Sequence, residues 1–183
     1  LDTDRTFHSL PDDAGSSTDT KVVLRLLSDK DIASVVSLIS LIMNSDEGNQ
    51  AFKTLNFHCA CKNYTLDDGR IYYVLVKGDA IKGVTGLHHY QWGPVENVWL
   101  AWFALDPSLH GQGLGKLLLD SVTSLAQELG YLKMFIETYS TPEFAAARAF
   151  YLSNGFVLAG SVRSYLPSGA DMVVFIKELT PNV

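Results

Sequence analysis

Between Ile71 and Leu105 three β-patterned runs, "IYYVLVK", "AIKGVTGLHHYQW" and "ENVWLAWFAL", follow one another with only short Gly- and Asp-bearing turns between them. β-branched and aromatic residues favour extended backbone, and turns this short join antiparallel neighbours, because a parallel crossover needs roughly a dozen residues or more. A three-strand antiparallel meander therefore stands in the middle of the chain, and the rest must pack on it. One strand-like run, "KVVLRLL", precedes it. After it come a helical stretch reaching about Gly130, strand "YLKMFIET", helix "PEFAAARAFYLSN", strand "FVLAGSV" and strand "DMVVFIKEL". No repeat or second boundary interrupts this order, which predicts a single α/β (α+β) domain over residues 21–183 with one mixed sheet covered by helices.

Two helices are predicted before the meander. Ser28 and Asp31, three apart, form an acidic variant of a capping box ahead of "DIASVVSLISLIM". There Ile32, Val35, Val36, Ile39 and Met43 recur at helical spacing. Gly48 breaks the pattern, so a second helix is expected over residues 49–63. Residues 1–20, rich in Asp, Ser, Thr and Gly, carry too few apolar groups to offset ordering entropy and read as a tail or a surface arm.

Charge and composition exclude several functions. The 183 residues carry a formal charge of −6 and no Lys/Arg cluster, which argues against a nucleic-acid partner. No apolar run nears the roughly 20 residues that span a bilayer, and no signal-type N-terminus is present, so no membrane partner and a soluble cytoplasmic protein are expected. Cys59 and Cys61 lie two apart on a helical segment and point away from each other; buried free thiols are expected, and no metal site. His88 and His89, neighbours on a strand, face opposite sides.

The segment "SLHGQGLGKLLLD" places Gly111, Gly113 and Gly115 where a helix begins. A helix start exposes unpaired N–H groups and the positive end of the dipole, and glycine lets a ligand approach the backbone, so an anionic phosphate is the natural occupant. The alternative is a tight surface turn with no ligand. A P-loop is ruled out by His110 and Leu117 where its first glycine and its Ser/Thr belong; a dinucleotide fingerprint is ruled out by Lys116 at its third glycine. A pyrophosphate loop of the form [RQ]xxGx[GA] remains.

From His110 to Gly115 the sequence fits that loop except at its first position. With "WFALDP" upstream and "AARAFYLSNGF" downstream, it resembles the GNAT superfamily of acetyl-CoA-dependent N-acyltransferases, whose element order agrees from about Lys21 onward. The resemblance implies a mostly antiparallel sheet of about seven strands, helices on both faces, and a V-shaped opening where the parallel fourth and fifth strands splay apart. It further implies acetyl-CoA as cosubstrate and no metal. Backbone groups of Phe103, Ala104 and Leu105 would meet the pantetheine arm. His110, Gly111, Gln112, Gly113, Leu114, Gly115 and Lys116 would surround the pyrophosphate, with Ala147 and Tyr151 also on the cofactor.

Acetyl transfer by direct attack of an amine on the thioester needs a proton acceptor and a proton for the departing sulfur. The resemblance makes Tyr151 the general acid; the alternative is a core tyrosine with a satisfied hydroxyl. The frequent family glutamate of the fourth strand falls on Ala101, which cannot take a proton. Glu96, acting through water, is the candidate base, and Glu137, His88 and His89 are others. The expected acceptor is a primary amine on a small molecule or amino-acid-like compound, with Trp92, Trp99, Trp102, Tyr165 and Asp171 available around it. Two other readings stay open: a non-catalytic acyl-CoA-binding module, suggested by Ala101, and a protein N-terminal or lysine acetyltransferase. A homodimer is a further expectation by analogy with the family.

Overall fold

The computed structural model describes residues 22–180 of the chain; the expected N-terminal tail over residues 1–20 lies outside the described residues. Seven strands and four helices occur in the predicted order. They are β1 (Val22–Leu26), α1 (Ile32–Ile42), α2 (Ser45–Asn63), β2 (Arg70–Lys77), β3 (Ala80–His88), β4 (Asn97–Leu105), α3 (Leu114–Glu128), β5 (Lys133–Tyr139), α4 (Ala145–Ser153), β6 (Val157–Val162) and β7 (Met172–Glu178). The strands form one mixed, mostly antiparallel sheet in the order β1-β2-β3-β4-β5-β7-β6, and β4 with β5 is its parallel pair.

Two compact units divide the chain. One is built from the chain up to Gly86 with Trp102–Leu118, the other from Leu87–Ala101 with Leu119–Val183. In the first, β1 pairs antiparallel with β2 from Val22↔Lys77 to Leu26↔Tyr73, over a core that includes Val35, Ile39, Leu55, Val74 and Leu75. Asp31 opens α1 as the spacing predicts: its carboxylate accepts from the Ser28 backbone N–H and hydroxyl, both at 2.8 Å, and from the Arg25 guanidinium at 2.7 and 2.9 Å. The buried stripe of α1 is Ile32, Val35, Leu38 and Ile39. Leu38 thus takes the place expected of Val36 and Met43, which stay half-buried.

The expected break at Gly48 is a correction. α2 begins at Ser45, because Asn44 caps it by accepting from the Glu47 N–H at 2.8 Å, and Gly48 is buried inside the helix. A Cβ there would lie 1.9 Å from the Ser40 hydroxyl and 3.0 Å from its Cβ, so glycine serves the close approach of α2 to α1 rather than a turn. Farther along α2, buried His58 meets the Asp68 carboxylate through Nδ1 at 2.9 Å and sets its ring edge-on to Tyr72. Arg70 closes on the other Asp68 oxygen at 3.2 Å. Cys59 and Cys61 are free and buried, and burial pushes the Cys59 thiol up.

In the second unit β5 is central. Its register with β7 runs over seven pairs, Lys133↔Glu178 to Tyr139↔Met172. Its register with β4 covers three, Asn97↔Lys133, Val98↔Met134 and Trp99↔Phe135. A continued register would set Leu100 against Ile136 and Ala101 against Glu137; the pairing stops before either, which is the splay expected of this strand pair. Along β5, Met134, Ile136 and Thr138 are buried, while Lys133, Phe135, Glu137 and Tyr139 face outward. β3 ends at His88 rather than running to Trp92, since Gly93 N–H closes a turn on Tyr90 O. Beyond it His89 binds the Asn97 carbonyl through Nδ1 at 3.0 Å.

Candidate functional site

The glycine loop belongs to the first unit. At the end of β4, Ala104 and Leu105 are buried and Phe103 is half-buried. Asp106 then turns the chain: its N–H donates to Lys82 O, its carboxylate caps a short 3-10 turn at Pro107–Leu109 by accepting from the Ser108 N–H and hydroxyl, and the Lys82 ammonium lies on it at 2.7 Å. Those contacts, Lys82 first, hold its carboxyl well below the usual carboxylate range. Buried Leu109 anchors the turn, and the His110 ring folds back so that Nε2–H donates to the Leu105 carbonyl at 3.1 Å. His110, where the family motif has Arg or Gln, is thereby committed to the strand end.

Gly111 and Gly113 then adopt φ of +75° and +77° with nothing within 4 Å of where a Cβ would sit. This left-handed backbone turns successive N–H groups toward one side, and L side chains seldom adopt it. Gln112 secures the loop by donating to Ser108 O at 3.0 Å, and buried Leu114 seats the first turn of α3. The first helical bond of α3 is Leu117 N–H to Gly113 O at 3.0 Å. The N–H groups ahead of it, through Gly115, are those a helix start leaves open, at the positive end of the dipole. Gly115 is half-buried and Lys116 exposed. A helix start of this kind favours an anion.

Tyr151, Ala147 and Glu96 belong to the second unit. Tyr151 is the buried residue of α4, with Ala147 and Phe150 half-buried. The Tyr-x3-Gly-Phe spacing has a plain cause: α4 closes in a Schellman motif. Gly155, at φ +85°, lets Phe156 N–H return to Tyr151 O at 3.1 Å while Gly155 N–H meets Leu152 O at 3.2 Å. The rings of Tyr151 and Phe156 pack at 6.1 Å, the apolar contact that accompanies this motif, and Phe175 lies 6.2 Å away. Burial pushes the Tyr151 phenol far above its ordinary value, so it keeps its proton at any working pH.

Three supports went unnoticed in the sequence because nothing local marks them. Lys177 of β7 donates to Asn154 O at 3.0 Å and lies over the Phe156 ring, capping α4. Arg148 donates to the carbonyls of Tyr139 and Thr141, holding the β5–α4 loop. Trp102 of the first unit donates through Nε1 to the Thr54 hydroxyl at 2.7 Å, tying β4 to α2.

The candidate bases differ in setting. Glu96 precedes β4; its carbonyl accepts from Leu132 and Lys133 N–H, and its side chain is exposed. The His88 ring lies 4.3 Å from that of Tyr90, tilted at 57°. Glu137 lies on the outward face of β5, where solvent reaches it while desolvation by its apolar neighbours raises its carboxyl. Of the aromatics named for the acceptor, Trp92 is 85% exposed, Tyr165 stacks on Tyr139 at 6.4 Å, and Trp99 stacks on Phe135 at 5.0 Å. Asp171 accepts from Ser164 N–H, so it serves its own hairpin. A surface groove of about 400 Å³ between the start of α1 and α2, lined by Ile32, Phe52, Asn56 and Cys59 among others, contains none of these candidates. Among the described residues no helix is long and apolar enough to cross a membrane.

Comparison with known proteins agrees with this geometry. The Acetyltransferase (GNAT) family matches residues 36–156. N-acetyltransferase 8B of Rattus norvegicus is 31% identical over 123 residues, 66% of this chain and 53% of that protein, so the chain spans about half the length of this relative. A GNAT-family structure from Desulfovibrio desulfuricans superposes with a TM-score of 0.76 at 21% identity, covering 87% of this chain and 99% of the other. An aminoglycoside 6'-N-acetyltransferase complexed with coenzyme A does so with a TM-score of 0.68 at 12% identity, covering 87% and 98%. With two thirds of its length matched by the family and its loop and strand topology those of the fold, the chain belongs to the acetyltransferase (GNAT) family.

Proposed function

We propose that the protein is an N-acetyltransferase that moves the acetyl group of acetyl-CoA to a primary amine by direct attack on the thioester. The observation that carries this reading is the left-handed Gly111 and Gly113 opening a helix whose first N–H groups lack intrahelical acceptors, in a chain of an acetyltransferase family. In this reading the N–H groups from Gln112 to Lys116 receive the pyrophosphate, and backbone groups of Phe103, Ala104 and Leu105 receive the pantetheine arm. Tyr151, beside Ala147 on α4, gives a hydroxyl donor to the departing sulfur. The acceptor is a small or amino-acid-like amine.

Ala101 supports a second reading, an acyl-CoA-binding module without turnover, because it removes the carboxylate usual at that position. One experiment addresses both. Acetyl-CoA binds the native state, so millimolar concentrations should raise the melting temperature, and Gly113→Val should abolish the shift, since a β-branched residue disfavours the +77° φ and fills the open side of the loop. Release of CoA thiol in the presence of a panel of primary amines then separates enzyme from binding module. No shift in the wild-type protein would sink the cofactor assignment.

A further inference from the structure

Glu137 differs from the carboxylates that this fold ties down. Asp31, Asp68, Asp106 and Asp171 are each tied to a guanidinium, an imidazole, an ammonium or backbone N–H groups. Glu137 has neither a hydrogen bond nor an ion pair among the described residues, although it projects from a strand in the middle of the sheet. Its same-face neighbours are apolar or aromatic. On β5 these are Phe135 and Tyr139, two residues to either side; on β7 its direct cross-strand partner is Val174, flanked by Met172 and Ile176. On β4 the last paired residue is Trp99, stacked on Phe135 with ring centroids 5.0 Å apart, and a continued register would bring Ala101 alongside Glu137.

Cations on β5, α4 and β7 have partners of their own. Lys133, four residues along the same face, lies 4.0 Å from Glu178. Arg148 serves the Tyr139 and Thr141 carbonyls, and Lys177 serves Asn154. An open carboxylate on an aromatic face, reachable by solvent and without a cation of its own, is the arrangement that recognises an organic cation. Two residues of strand separate Glu137 from each flanking ring, roughly 7 Å. An ammonium on its carboxylate therefore comes within cation–π range of Phe135 or Tyr139, while the body of the ligand can lie along Phe135 and Trp99.

Resting on the acetyltransferase reading, we infer that Glu137 receives the ammonium group of the acceptor and takes its proton, and that the acceptor is a primary amine carried on an aromatic or apolar body. The base has then moved one strand over from the position where Ala101 stands. Glu137 takes one N–H proton of the ammonium, leaving a lone pair that forms the C–N bond at the thioester carbonyl. The C–S bond breaks, the loss of a second N–H proton balances the proton the sulfur gains, and Glu137 returns its own to water. The raised carboxyl suits the task, since a more basic carboxylate is the better acceptor.

The test uses two probes of one shape, 2-phenylethylammonium and 2-phenylethanol, with tryptophan fluorescence as the binding readout and CoA present, so that no turnover occurs. The wild-type protein should bind the cation at least about tenfold more tightly than the alcohol. In Glu137→Gln that preference should vanish, and in Glu137→Asp it should persist in part. With acetyl-CoA, turnover of 2-phenylethylamine should fall about 10²-fold in Glu137→Gln, and the acid limb of the kcat/KM profile should disappear. Equal binding of the two probes, binding of neither at millimolar concentration, or an unchanged preference and profile in Glu137→Gln overturns the inference. The acetyl-CoA melting shift is read separately in both proteins. Its absence from the wild type would defeat the acetyltransferase reading, whereas a retained shift with an indifferent Glu137→Gln would defeat this inference alone.

Discussion

Tyr151 shows how a residue's surroundings decide what it can contribute. An ordinary phenol titrates near 10 and a thiol near 8.5, so complete proton transfer from tyrosine to a thiolate is already uphill by about 2 kcal/mol. Burial against Phe156 and Phe175 widens that gap by raising the phenol further. The useful contribution in the proposed reaction is therefore a hydrogen bond to sulfur that strengthens as negative charge develops there, a preorganised donor rather than a strong acid. Tyr151→Phe keeps the ring and its packing while removing that donor. Turnover should fall by roughly 10²-fold with little change in the acetyl-CoA Michaelis constant, and stability should change by about 1 kcal/mol or less. Steady-state kinetics of the folded variant check this, and a rate within a few-fold of wild type would leave Tyr151 as a core residue whose part is to close α4.

At the level of elements, what was legible in the sequence is what short-range chemistry dictates. The strand order, the Ser28–Asp31 start of α1 and the left-handed glycines of the loop follow from patterning, capping and φ preference. The β4–β5 splay could be expected only by resemblance, because where a parallel pair stops is set by packing rather than by either strand alone. Gly48 was misread for a related reason: in sequence a glycine looks like a break, and only the neighbouring helix reveals it as a contact. Glu137 could be named as a candidate, but its lack of a hydrogen bond or ion pair among the described residues depends on what β4 and β7 set beside it. The Gly48 contact yields a prediction. Alanine is the better helix former by up to about 1 kcal/mol, yet a Cβ placed 3.0 Å from that of Ser40 and 1.9 Å from its hydroxyl forces that hydroxyl to turn away and crowds the two helices. Gly48→Ala should thus cost roughly 1–3 kcal/mol in urea unfolding. In a Ser40→Ala background, which removes the hydroxyl, the same change should cost less; equal costs in both backgrounds would place the crowding elsewhere.

Across the whole molecule, acid should act through carboxylates that the fold holds ionised. Burial works to raise Asp31, but the Arg25 and Ser28 hydrogen bonds outweigh it and hold the group at about 2. Burial likewise opposes ionisation of Asp68, where His58 and Arg70 prevail and keep it low, and Asp106 is held low by Lys82 and Ser108. A carboxyl depressed in the folded state contributes stability that is complete above its unfolded value of about 3.9 and is lost as pH falls through the folded one. Glu137 has the opposite sign, since its raised carboxyl costs stability when ionised and is relieved by acid. Three lowered groups against one raised predict a net loss that begins near pH 4 and, for Asp31, is complete near pH 2. Asp31 alone accounts for about 2–3 kcal/mol at most, and less in practice because the Arg25 side chain is 40% exposed and its charge is screened. Between pH 7 and 5, by contrast, partial neutralisation of the −6 net charge relaxes self-repulsion, so stability should hold or rise before it falls. Urea unfolding from pH 7 down to 3 checks the profile, and Asp31→Asn should be less stable at pH 7 but lose less on acidification. A wild-type decline that starts well above pH 4, or an Asp31→Asn protein with the wild-type slope, would show that the buried carboxylates do not govern acid stability.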